Sequence, residues 1–101
     1  MGITPRGSSA PETSRTVTVH YWAAARAAAG AESDTFEVDG PVSLAEVLAR
    51  VLAARPGPDL ARVLGVCSVL VGERPASSRE PADVVVEPGE TVELLPPFAG
   101  G

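Results

Sequence analysis

The chain closes on Pro96-Pro97-Phe98-Ala99-Gly100-Gly101, and the group there with chemistry of its own is the carboxylate of Gly101. With a pKa near ~3.5, a terminal carboxylate is ionised at neutral pH and can attack the α-phosphate of ATP, giving an acyl-adenylate open to sulfur. Two glycines suit that chemistry. They form a thread without side chains that can enter another protein's active site, and they leave the reacting carbonyl carbon unhindered. By composition alone a Gly-Gly end is weak and reads equally as a frayed terminus with glycine as filler. Position strengthens it: Pro96 and Pro97 hold the chain extended, so the tail is expected to project rather than dock.

Three other groups of reactive residues carry less. Cys67 is the single cysteine, which leaves neither an internal disulfide nor a cysteine metal cluster, and in its apolar run it reads as a small core hydrophobe. His20 has no Cys, Asp or second His at ligand spacing and reads as a surface strand residue. Glu87, Glu90 and Glu93 could form an acidic cluster, but solvation of a turn and a strand face explains them more simply. No metal site and no resident cofactor are expected.

The elements that must position the tail are legible from pattern. Thr16 to Trp22 alternates Val17, Val19 and Tyr21 with Thr18, His20 and Trp22, the period of a strand. Trp22 falls on the outward phase and reads either as half-buried packing at a strand end or as an interface anchor. Ala23 to Ala29 reads as a short helix stopped by Gly30 at positive φ, and Thr35 to Val38 as a second strand antiparallel to the first. Ser43-Leu44-Ala45-Glu46 is a capping box opening a helix. Its apolar stripe is Leu44, Val47, Leu48, Val51 and Leu52, with Arg50 and Arg55 late enough to complement the helix dipole. Pro56-Gly57-Pro58 ends it. A further turn of helix capped by Asp59 is expected over Asp59 to Leu64, and a buried strand over Val66 to Val71. Ser77 to Asp83 reads as loop. Glu87-Pro88-Gly89-Glu90 is a turn into a last strand, Thr91 to Leu95. The order strand, strand, helix, strand, strand predicts an α+β fold of the β-grasp, ubiquitin-like kind, a mixed sheet packed against one main helix.

Residues Met1 to Arg15 are rich in Pro, Gly, Ser and Thr and read as a flexible tail, leaving one domain over residues 16–101 of the 101. A net charge of -5 argues against a nucleic-acid partner and suits a basic protein surface. No apolar run is long enough to span a bilayer, and the N-terminus does not resemble a secretory signal, so no membrane partner and a cytoplasmic location are expected. All eight basic residues are arginine, so no side chain here offers an amine to an isopeptide bond; heavy Ala, Arg, Gly and Pro usage fits a GC-rich gene as the plainer cause.

Four segments carry a family resemblance: Val19 to Gly30, with Trp22-Ala23-Ala24-Ala25-Arg26 at its centre; the helix opening Val42 to Leu48; Val69-Leu70-Val71-Gly72-Glu73; and Gly89 to Gly101. Together they resemble the small subunits of molybdopterin synthase, within the MoaD/ThiS superfamily of ubiquitin-like sulfur carriers, over Thr16 to Gly101. The resemblance implies a cycle. An ATP-dependent, E1-like activating enzyme adenylates Gly101, a sulfur donor protein converts it to a thiocarboxylate, and the tail delivers sulfur inside a large subunit to a cyclic pterin precursor in molybdenum cofactor biosynthesis. The chain itself would be a non-catalytic sulfur-donor subunit, with catalytic residues on the large subunit. Trp22, Leu95, Pro96, Pro97, Phe98 and Ala99 would form the partner interface, and Gly100 would complete the thread. Two departures stand out: the family position at Leu95 is commonly aromatic, and Gly72 stands where the family often has Asn. Carriage for thiamine, cysteine or tRNA thiolation, or ubiquitin-like modification of proteins, are the alternatives.

Overall fold

Strand β1 forms over Thr16–Tyr21 for the reason its alternation gives. Val17, Val19 and Tyr21 are almost wholly buried while the residues between them stay partly exposed. The structure, a computed structural model, describes residues 15–76 and 79–97. The proposed tail, apart from Arg15, lies outside the described residues, as do Phe98, Ala99, Gly100 and Gly101.

Helix α1 spans Ala23–Ala29 and stops at Gly30, whose φ of 78° is the left-handed conformation expected there. Strand β2, Ser33–Glu37, returns antiparallel to β1. Two residues, Val42–Ser43, form β3 and lead into helix α2, Leu44–Ala54. Ser43 Oγ accepts the Glu46 backbone N–H at 3.0 Å, while the Glu46 carboxylate turns forward to Arg50 Nε at 3.0 Å. The Ser43 half of the capping box is therefore in place. Leu44, Val47 and Val51 are buried, with Leu48 and Leu52 packed at the edge of the core.

Helix α3, Pro58–Leu64, is capped by Gly57 with Pro58 at its start, so Asp59 lies inside the first turn rather than at the cap. Strand β4 covers Ser68–Val71, two residues shorter than its apolar run: Val66 sits in the turn after α3 and is 61% exposed. Cys67 is half-buried against the core, and burial pushes its thiol pKa up. The span read as loop, Ser77 to Asp83, holds a 3₁₀ turn at Pro81–Asp83 among its described residues; two short strands that the pattern did not single out, β5 (Arg74–Pro75) and β6 (Val85–Val86), flank it, and β7 is Thr91–Leu95.

The main sheet runs β2-β1-β7-β4-β5, with β1 and β7 parallel and the other pairs antiparallel; β3 and β6 make a separate two-stranded ladder. One face of the main sheet supplies Val17, Val19, Tyr21, Val69, Val71, Val92 and Leu94 to a single core cluster, joined by Ala25 and Ala29 of α1, the α2 stripe and Leu60 of α3. This is the ubiquitin-like β-grasp: a mixed sheet with α2 as its main helix and two short helices beside it.

Candidate functional site

Parallel pairing of β1 with β7 brings their C-terminal ends to the same end of the sheet, and the site is built from that fact. Tyr21 is level with Leu94, so the next residues, Trp22 and Leu95, emerge together. Antiparallel β4 contributes its first residue, Ser68, directly opposite Leu95. Pro96 and Pro97 continue from Leu95 at this end.

Trp22 is the N-cap residue of α1, held extended at φ -117° and ψ 147°. Its N–H reaches the Leu94 carbonyl at 3.2 Å, and its own carbonyl accepts the N–H groups of Ala25 and Arg26. The indole is 46% exposed, as its outward phase predicted. Its Nε1–H donates to Glu93 Oε1 at 2.9 Å, and its ring stacks with His20, centroids 6.4 Å apart. Ala23, next along, has φ 51°, a left-handed conformation that costs an alanine about 1 kcal/mol. The strain turns the chain from strand to helix within one residue, which leaves Trp22 on the rim.

Trp22, Ala23, Ser68, Leu95, Pro96 and Pro97 line a recess of about 340 Å³. Leu95 and Pro96 are half-buried and Pro97 is exposed. The structure thus brings together four of the six residues expected at a partner interface, while Phe98 and Ala99, and the reactive pair Gly100 and Gly101, lie outside the described residues. Pattern reading did not single out Ala23, Ser68 or Glu93 for this site. The β1–β7 register puts Glu93 level with His20, one residue from Trp22, and register is not readable from one strand. The lining is apolar with a few polar atoms, a surface suited to binding a protein rather than to proton transfer.

A polar cluster lies behind the site, on the core face. The buried Tyr21 hydroxyl donates to Asp34 Oδ2 at 2.7 Å, and Arg55 grips both Asp34 oxygens at 2.6 and 2.8 Å. Arg55 Nη1 also donates to the carbonyl of Ala29, the last residue of α1, at 2.8 Å. Arg55, expected to complement its own helix, thus complements the C-terminus of α1 instead. Arg50, while paired with Glu46 on its own helix, also reaches beyond it, donating from Nη1 to the Glu37 carbonyl at 2.6 Å. Arg55 holds the Asp34 carboxyl below its ordinary range, against the opposing effect of burial. Burial first, then the Asp34 hydrogen bond, pushes the Tyr21 phenol far above its ordinary value.

The three glutamates do not act as one cluster. Glu93 serves Trp22; Glu90 pairs with Arg74 at 3.0 Å and accepts the Glu87 N–H at 2.8 Å. Arg74, opposed by some burial and helped by the Glu87 N–H, lowers the Glu90 pKa. Gly72, beside that pair, has φ 62°. Asn is the side chain that best tolerates this conformation, which accounts for the Gly-for-Asn departure. Among the described residues, no group of three or more His, Cys, Asp or Glu is placed to hold a metal ion, and no helix is long and apolar enough to cross a membrane.

Residues 19–101 match the ThiS family. No curated protein sequence matches the chain significantly. Among solved structures, SAMP1 from Haloferax volcanii is similar at 22% identity and TM-score 0.70, over 85% of this chain and 99% of that one. Urm1 from Trypanosoma brucei is similar at 21% identity and TM-score 0.64, over 86% and 96%. A complex of subunits 1 and 2 of molybdopterin-converting factor from Helicobacter pylori contains a chain similar at 22% identity and TM-score 0.57, over 85% and 99%. At these identities the likeness establishes the fold.

Proposed function

The chain belongs to the ThiS family, and from that premise we propose that it is a sulfur carrier acting as the small subunit of a molybdopterin synthase. The carboxylate of Gly101 attacks the α-phosphorus of ATP on an activating enzyme and expels pyrophosphate. Sulfur supplied at the sulfide level by a donor protein then attacks the acyl carbon, the C–O bond to AMP breaks and AMP leaves with the electron pair, giving a thiocarboxylate that the tail presents to the large subunit for transfer to a cyclic pterin precursor. Catalytic residues of that transfer belong to the partner.

The observation that carries this reading is the end of the sheet, where β7 runs into Pro96 and Pro97 beside an exposed Trp22 and an apolar recess. A carrier needs a docking surface at the root of its tail, so that the partner grips the domain while the reactive end enters its active site. On this reading Trp22, Leu95, Pro96, Pro97, Phe98 and Ala99 form that surface and Gly100-Gly101 the thread. The Helicobacter pylori complex, in which a similar chain is found with the subunits of molybdopterin-converting factor, supports a protein partner of this kind.

Intact-mass measurement after incubation with ATP, an activating enzyme and a sulfur donor tests the carrier role. The mass gain of an oxygen-to-sulfur exchange is expected in the full chain and is lost when Gly101 is removed, with the circular dichroism spectrum unchanged. A terminus that never takes up sulfur overturns the proposal. The likeness to SAMP1, a small archaeal modifier protein, favours one further reading: Gly101 joined to amines of target proteins. Amide-linked products in place of the thiocarboxylate would identify it. Copurification with a large subunit separates the molybdopterin pathway from the other thiolation pathways.

A further inference from the structure

An activated carboxylate reacts with any amine that reaches it, including those of neighbouring copies of its own chain. The nucleophiles on this protein's surface therefore bear on how its terminus is used. All eight cationic side chains are arginine and none is lysine. A lysine ε-amine, with a pKa near ~10.4, supplies some free nucleophile above neutral pH; a guanidinium, with a pKa above ~12, supplies essentially none.

The fold accounts for only part of this arginine usage. Arg55 uses three guanidinium nitrogens on Asp34 and Ala29, Arg74 uses two on the Glu90 carboxylate, and Arg50 bridges Glu46 and Glu37. A lysine, a point charge on a flexible stem, could not replace these forks. Arg62 is different. It is 70% exposed and makes an ion pair with Asp59 through Nη2 at 2.6 Å, a contact that an ammonium makes as well. Arg26 is similar, 59% exposed and 3.5 Å from Glu32. Packing thus does not demand arginine over lysine at these exposed sites.

Of the remaining described nucleophiles two are withdrawn by the structure, and the serine and threonine hydroxyls are weak nucleophiles without an activating base. The Tyr21 hydroxyl is buried and committed to Asp34, and the Cys67 thiol is half-buried against the core. The His20 ring stacks on Trp22.

We propose that this surface is cleared of side-chain amines that the activated terminus could acylate, so that activated Gly101 is reserved for foreign amines and no side chain of one copy can take up the terminus of another through an amide. The reaction avoided is the attack of an ε-amine nitrogen on the acyl-adenylate carbonyl carbon. A C–N bond would form, the C–O bond to AMP would break, AMP would leave with the electron pair, and the ammonium proton would pass to solvent. The inference rests on the adenylation step proposed above.

The test restores the amine. Arg62→Lys, and separately Arg79→Lys on the exposed segment before the 3₁₀ turn, are incubated beside the full-length parent with activating enzyme and ATP, with the sulfur donor withheld. At pH 8.5, roughly one ε-amine in eighty is in the nucleophilic form. Pyrophosphate release reports adenylation, and denaturing electrophoresis with peptide mapping reports linkage. The expected result is equal pyrophosphate release from all three proteins, covalently linked copies from both variants with the Gly-Gly remnant on the introduced side chain, and no side-chain linkage in the parent. Side-chain linkage in the parent, or variants that are adenylated yet stay unlinked, overturns the inference. Absence of pyrophosphate release from all three overturns the carrier reading, a result distinct from either.

Discussion

Tyr21 and Trp22 are adjacent in the chain, and each gives its polar hydrogen to a carboxylate, Tyr21 to Asp34 and Trp22 to Glu93. The phenol is 2% exposed and its carboxylate is gripped by Arg55, which is itself tied to α1; the indole is 46% exposed and stacks on His20. Leu94 and Leu95 repeat the contrast one strand away, the first fully buried and the second at the mouth of the apolar recess. Two faces of one sheet end thus use the same residue types for different ends. On the core face the Tyr21–Asp34–Arg55 cluster ties β1, β2 and the end of α2 to the last residue of α1. On the outer face apolar surface is left partly uncovered, as the proposed docking surface requires.

The comparison breaks most readily at the leucines. Leu94→Ala should cost about 3 kcal/mol in urea unfolding, because it opens a cavity in the packed core, whereas Leu95→Ala should cost under about 1 kcal/mol. Equal losses would mean that the outer face is core as well. Next in size is Tyr21→Phe, expected to lose about 1.5 kcal/mol by removing a hydrogen bond to an ionised partner. Trp22→Ala is expected to leave the unfolding midpoint almost unmoved and to weaken copurification with a large subunit about tenfold. An unchanged affinity would remove Trp22 from the docking surface.

The inner cluster also carries a pH signature that the outer one does not share. Asp34 has a folded pKa below its unfolded value of about 3.8, so its stabilisation is present above that pH and is lost as pH falls through the folded value. Asp34→Asn should flatten part of the acid limb of a stability–pH curve. The raised Tyr21 pKa works in the opposite sense: stability is present below about pH 10 and lost as pH rises beyond it, a loss that Tyr21→Phe should not show. At Gly72 the cost depends on the side chain introduced. An added Cβ there would meet the flexible end of Glu90 at 3.3 Å, so Gly72→Asn should cost less than about 1 kcal/mol, while Gly72→Val, β-branched in a left-handed conformation, should cost about 2.

What the sequence determined by itself was local. The alternation of β1 and β7, the glycine that stops α1, the Ser43 cap and the Pro88-Gly89 turn each depend on residues a few positions apart, whose steric and hydrogen-bonding preferences hold wherever the segment lies. From them followed the β-grasp order and the outward phase of Trp22. The tertiary structure decided what depends on distant pairings: that Val66 leaves its apolar run for an exposed turn, that Val42–Ser43 finds Val85–Val86, and that Arg55 crosses to Asp34. It also decided the surroundings of Trp22. Whether Trp22 was packing or rim was open until the parallel β1–β7 register set it beside Glu93, Leu95 and the two prolines, because strand period tells which face a residue occupies and only pairing tells what stands next to it.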